Sequence, residues 1–121
     1  MRVFAMLVAT LTLAGCVSRQ DTLDEAPMLD QVFQGDFRAV GPCVVSAIQT
    51  ADYTISPNVS FIPSPTWSEI QTTASSAYTG TIYGQITRLT DIDGKSFRAV
   101  VRSVLKGDGE VAVNAVRGCA N

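Results

Sequence analysis

Two alternating runs joined by Asp93-Gly94 constrain this 121-residue chain more than any other feature. Between Thr79 and Leu89, Ile82, Gly84 and Ile86 share one side of an extended chain, while Thr81, Tyr83, Gln85 and Thr87 take the other. From Ser96 to Lys106, Phe97, Ala99, Val101 and Leu105 again face one way. A period of two is the mark of a half-buried strand, and Asp-Gly between two such runs marks a hairpin. Asp108-Gly109 offers a second turn, after which Glu110 to Arg117 carries Val111, Val113 and Ala115 on a single face. The expected result is a three-stranded antiparallel meander with one apolar side.

That side needs a cover, and residues 36–51 supply it. Asp36 is a suitable helix cap, and Phe37, Val40, Val44, Ala47, Ile48 and Ala51 follow at three- and four-residue steps. Gly41-Pro42 predicts a kink, or a helix that begins at Pro42. Cys43 lies beside the apolar stripe and is expected to point inward. Tyr53 to Ile62 reads as strand, confined to an edge by Pro57 and Pro63. Residues 67–77 stay ambiguous: Thr66-Trp67-Ser68-Glu69 matches a capping box, but Gln71 to Ser76 is rich in Thr and Ser, which suit helix interiors poorly.

The N-terminus has a different character. Arg2 precedes an apolar run from Val3 to Leu13, shorter than the ~20 residues of a membrane-crossing helix. A basic start, a short apolar core and small residues before a cut describe a secretory signal peptide. Leu13-Ala14-Gly15-Cys16 resembles the lipobox of bacterial lipoproteins. The resemblance covers about sixteen residues and does not extend into the rest of the chain. It implies that residues 1–15 are removed and that Cys16 becomes a new N-terminus bearing acyl chains such as palmitate. Two or more such chains hold a protein stably at a membrane. Val17 stands where an aspartate would resemble an inner-membrane retention signal, which points to the outer membrane and a domain facing the periplasm. Residues 16–35, with Asp21, Asp24, Glu25 and Asp30 against Arg19 alone, are then expected to be an acidic tether. Residues 36–121 form one small domain.

With Cys16 lipidated, Cys43 and Cys119 remain as an even pair in an oxidising compartment and are expected to form a disulfide. Two free thiols or a metal pair are the alternatives. The chain has no histidine, and two distant cysteines make a poor zinc site. The expected fold class is therefore α+β: one N-terminal helix on an antiparallel β-meander of three to five strands, stapled by Cys43–Cys119.

Composition removes several function classes. With 9 basic and 11 acidic residues the chain has no cationic surplus for nucleic acid. Catalysis lacks its usual groups: there is no histidine, no thiol outside the expected pair and no convincing carboxylate pair. No metal or cofactor is expected. Asp91-Ile92-Asp93-Gly94 begins like a calcium loop, but Lys95 and Arg102 fall where oxygen ligands belong. Ser103 and Lys106 have the spacing of a serine-lysine catalytic motif, but on a strand that spacing sends them to opposite faces.

Two patterns stand out as candidate binding surfaces. Arg98, Val100, Arg102, Val104 and Lys106 share one face of the expected long strand, as a solvated face or as a docking strip. Trp67, Tyr78 and Tyr83 are the candidates for a small-ligand site. The expected function is that of a lipid-anchored, non-enzymatic accessory or assembly factor that binds another envelope protein. The alternatives are a module for a small ligand or cell-wall fragment, or an inhibitor of a secreted hydrolase.

Overall fold

The computed structural model describes residues 18–51, 58–76 and 80–120. Their order is α1 (Arg19–Leu23), β1 (Leu29–Gln34), α2 (Phe37–Gln49), β2 (Asn58–Pro63), β3 (Trp67–Ser76), β4 (Gly80–Asp91), β5 (Ser96–Ser103) and α3 (Lys106–Cys119). The strands form one antiparallel sheet in the order β1-β5-β4-β3-β2. This is the α+β class expected from sequence, with the helix of residues 37–49 lying on the sheet and a disulfide closing it.

The helix begins where Asp36 caps it, its carboxylate accepting from the Arg38 N–H at 3.0 Å. It continues through Pro42 without restarting there. Its buried side chains Phe37, Val40, Val44 and Ile48 meet Ile70, Leu89, Phe97, Ala99 and Val101 of the sheet. The hairpin expected at Asp93-Gly94 is present, and the Asp93 carboxylate accepts from the N–H groups of Lys95 and Ser96. Ambiguity over residues 67–77 resolves as strand for Trp67–Ser76: Ser68, Ile70 and Thr72 face the helices while Trp67 and Glu69 take the other face of the sheet, so no capping box forms. Beneath the helices, buried Gln85 donates to the Thr72 hydroxyl at 2.8 Å and accepts from Thr87 at 2.6 Å, which satisfies these polar groups.

Two expectations are overturned, and they share a cause. Residues 29–34 are not tether; they pair along β5 from Leu29 opposite Val101 to Gln34 opposite Ser96. The folded unit therefore reaches back to Ser18, which caps α1 in a reciprocal box with Asp21. With β1 on one side of β5 and β4 on the other, no edge remains for a further strand. Residues 110–117, expected to be that strand, are helical instead. Their sequence serves either period, and Ala112, Val113, Ala115 and Val116 bury against the core as a helix face.

The chain leaves β5 through a bend at residues 104–105 that hangs on one carbonyl. Gly84 O accepts from the Val104 and Leu105 N–H groups and from the Ser103 hydroxyl. Gly84 is the extra residue of a β-bulge, since Thr72 pairs with Gln85 and Thr73 with Tyr83. A Cβ there would lie 2.0 Å from the Asp108 carboxylate of α3, so any larger residue would have to displace that side chain. Burial against this bulge pushes the Asp108 carboxyl above its ordinary range.

Cys43 and Cys119 are bonded, with Cα atoms 5.8 Å apart across 76 residues of chain. The bond joins α2 to α3, not helix to strand as the sequence suggested, because the last element is helical. Cys43 is exposed on α2 rather than inward-facing, so the bond clasps the rim of the helix pair and not its core.

Two measurements check this account. Loop-closure entropy for such a bond is roughly 4 kcal/mol, an upper figure, so the Cys43→Ser, Cys119→Ser double variant is expected to lose about 2–4 kcal/mol, read from its urea midpoint. For Asp108, a folded-state pKa raised above the unfolded one means that its contribution is full at low pH and is lost as pH rises through the raised value. Asp108→Asn is therefore expected to melt higher than the parent at pH 7. The two should converge near about pH 3, below the carboxylate range.

Candidate functional site

The sheet has one face under α2 and α3 and another that, among the described residues, α1 covers in part. Alternation assigns residues to that second face, and three cross-strand rows define it. Glu69, Arg88, Val100 and Asp30 form one row; Trp67, Thr90, Arg98 and Val32 form a second; Gln71, Ile86 and Arg102 form a third. Leu23 of α1, with Glu69, Ile86, Arg88, Thr90, Arg98, Val100 and Arg102, encloses a cleft of about 250 Å³. Its floor is apolar, from Ile86 and Val100, and its walls are three guanidinium groups from two adjacent strands.

The arginines are held differently. Arg98 makes a fork to Asp30, with Nε and Nη2 at 2.7 and 2.5 Å from the two carboxylate oxygens. That hydrogen bonding, followed by the charges of Arg98 and Arg102, holds the Asp30 carboxyl below its usual range, and Asp30 raises Arg98 in return. Arg102 donates to the Glu25 carbonyl at 2.6 Å. Arg88 lies over the Trp67 ring, 4.4 Å from its centroid. Neither Arg88 nor Arg102 meets a carboxylate within ion-pair distance among the described residues. Both present a guanidinium group on this face of a chain whose net charge is −2.

One side of the cleft is built by α1. Thr22, fully buried, donates to the Tyr83 carbonyl at 2.7 Å. Arg19 meets the Glu69 carboxylate, whose side chain is 4% exposed. A buried carboxylate needs such a partner. Glu69 is the counter-ion that fixes α1 to the sheet.

The sequence-predicted strip is thus half-assembled. Arg98, Val100 and Arg102 share the face as expected. Val104 and Lys106 leave it, because β5 ends at Ser103; Val104 sits in the bend and Lys106 opens α3, 3.8 Å from Glu110. Arg88 and Thr90, which sequence reading did not single out, take their place from the neighbouring strand. Trp67 belongs to the same face, joined to the cleft through Arg88. Tyr83 contributes its backbone carbonyl to the α1 contact. Tyr78 lies outside the described residues, as do Cys16 and the expected signal segment. Among the described residues no group of three or more His, Cys, Asp or Glu side chains is placed to hold a metal ion, and no helix is long and apolar enough to cross a membrane. Neither a known protein-family model nor a characterised protein sequence matches this chain.

Proposed function

We propose that this chain is a lipid-anchored, non-catalytic envelope protein, held at the outer membrane through Cys16, that binds an envelope protein with the α1-side face of its sheet. The observation that carries the binding half is the cleft of Arg88, Arg98 and Arg102 around Val100. Arginines with an apolar floor match the composition of protein interfaces, where Arg and aromatic residues are enriched. Its guanidinium walls suit an acidic side chain or loop of a partner. Leu13-Ala14-Gly15-Cys16 supports the anchoring half.

Replacement of Arg88 and Arg102 by glutamate tests the binding half without breaking an ion pair among the described residues. Cross-linking of cells carrying a tagged copy, followed by mass spectrometry, is expected to find a stoichiometric envelope partner that the double variant captures at least about tenfold less, as truncating interface hot spots does. Equal recovery by parent and variant would count against this face. For the anchor, Cys16→Ser is expected to remove the acyl mass and release the protein from membranes. An unchanged mass and location would refute lipidation.

A further inference from the structure

On the opposite face of the sheet, a second cleft opens between the first turn of α2 and the β2–β3 hairpin. Its volume is about 400 Å³, and Phe37, Arg38, Phe61, Pro63, Ser64, Pro65 and Ser68 line it. That is within the size range of small-molecule sites, which are typically apolar with a few placed polar groups. Two phenylalanine rings and two proline rings give it flat apolar walls. No residue of the arginine cleft takes part.

Ser68 is the polar group. It is 2% exposed, and its hydroxyl is the one buried side-chain polar atom without a hydrogen-bond partner among the described residues. Leaving such a group unpaired costs about 1–3 kcal/mol, so its position calls for an explanation. A Cβ built on Gly41 would lie 3.4 Å from the Ser68 oxygen and 3.1 Å from the Phe61 ring. The glycine therefore lets α2 pack close over the Ser68 hydroxyl and the Phe61 ring, both of which line the cleft.

The one charged group of the lining is engaged elsewhere. Arg38 donates to the Pro65 carbonyl at 2.9 Å and lies 3.8 Å from the Asp36 carboxylate, an exposed pair that offsets part of its charge. Its guanidinium also lies 5.1 Å from the centre of the Phe37 ring. The bond to the Pro65 carbonyl ties the first turn of the helix to the β2–β3 loop.

We propose that this cleft binds a small uncharged aromatic molecule with a single hydroxyl group, whose ring packs on Phe37, Phe61 and the prolines and whose hydroxyl pairs with Ser68. The ring supplies affinity by burial of apolar surface; the hydroxyl supplies selectivity, because a ring without it leaves Ser68 unpaired.

The probes are para-cresol and toluene, which differ by that hydroxyl, titrated into the full chain while backbone amide resonances are followed. Para-cresol is expected to shift Phe37, Gly41 and Ser68 saturably, with toluene moving the same amides about fivefold more weakly, the worth of one net hydrogen bond. Ser68→Ala is expected to remove the preference while leaving toluene binding intact, and to raise the melting temperature of the free protein. Phe61→Ala is expected to weaken both probes alike. Equal affinities in the parent chain, a preference that survives Ser68→Ala, or no saturable shift at these amides with either probe would each overturn the proposal. None of these readings depends on the partner or the lipid anchor.

Discussion

Six residues, Leu29 to Gln34, lie along the outer edge of β5, and the placement of the other elements follows from that pairing. It is reinforced at both ends, where Met28 N–H donates to Val101 O and Gly35 N–H donates to Lys95 O. Once this edge is filled, the chain emerging from β5 has no ladder to join and must leave the sheet plane. It does so at the Gly84 carbonyl and closes over the apolar face as α3, beside α2. The same pairing sets α1 down across the opposite face, where Arg19 and Thr22 find Glu69 and the Tyr83 carbonyl. Core and arginine cleft are thus two results of one edge capture.

Charge is distributed by the same geometry. The segment that sequence reading assigned to a tether carries Asp30, and its entry into the sheet brings that carboxylate against Arg98. Among the described residues Arg88 and Arg102 have no such carboxylate in contact, being held by an aromatic ring and a carbonyl. A chain of net negative charge therefore presents a locally basic surface, which composition cannot reveal because it sums over both faces.

How much was legible follows the range of the determining interaction. The β4–β5 hairpin was readable because alternation and Asp93-Gly94 are local signals. So was α2, through its Asp36 cap and apolar stripe, and so was the cysteine pair. The tertiary outcomes were not. Residues 110–117 carry both a two-residue and a helical period, and only occupancy of the β5 edge decides between them. Leu29 to Gln34 does not alternate cleanly, since Val32 is exposed on the face that carries Asp30 and Gln34. In the cleft, Arg98 and Arg102 are two-step neighbours on one strand and were visible; Arg88 reaches them only across a strand register. Ser68 and Phe61 meet Gly41 only after helix packs on sheet, so nothing in the sequence marked that cleft.

The disulfide also divides the molecule covalently. Its ring runs from Cys43 to Cys119 and contains β2, β3, β4, β5 and most of α2 and α3, while α1 and β1 lie outside it. A protease nick anywhere inside the ring leaves one connected molecule. A nick between Gln34 and Phe37 would leave β1 and α1 attached by hydrogen bonds and side-chain contacts alone. Tension on the N-terminal end would likewise reach α1 and the β1–β5 ladder before any bonded loop. The arginine cleft, which needs α1 and Asp30 for its shape, is then the first part of the protein to yield under load, while Phe61, Pro63, Ser64, Pro65 and Ser68 of the aromatic cleft lie inside the ring and Phe37 and Arg38 just outside it.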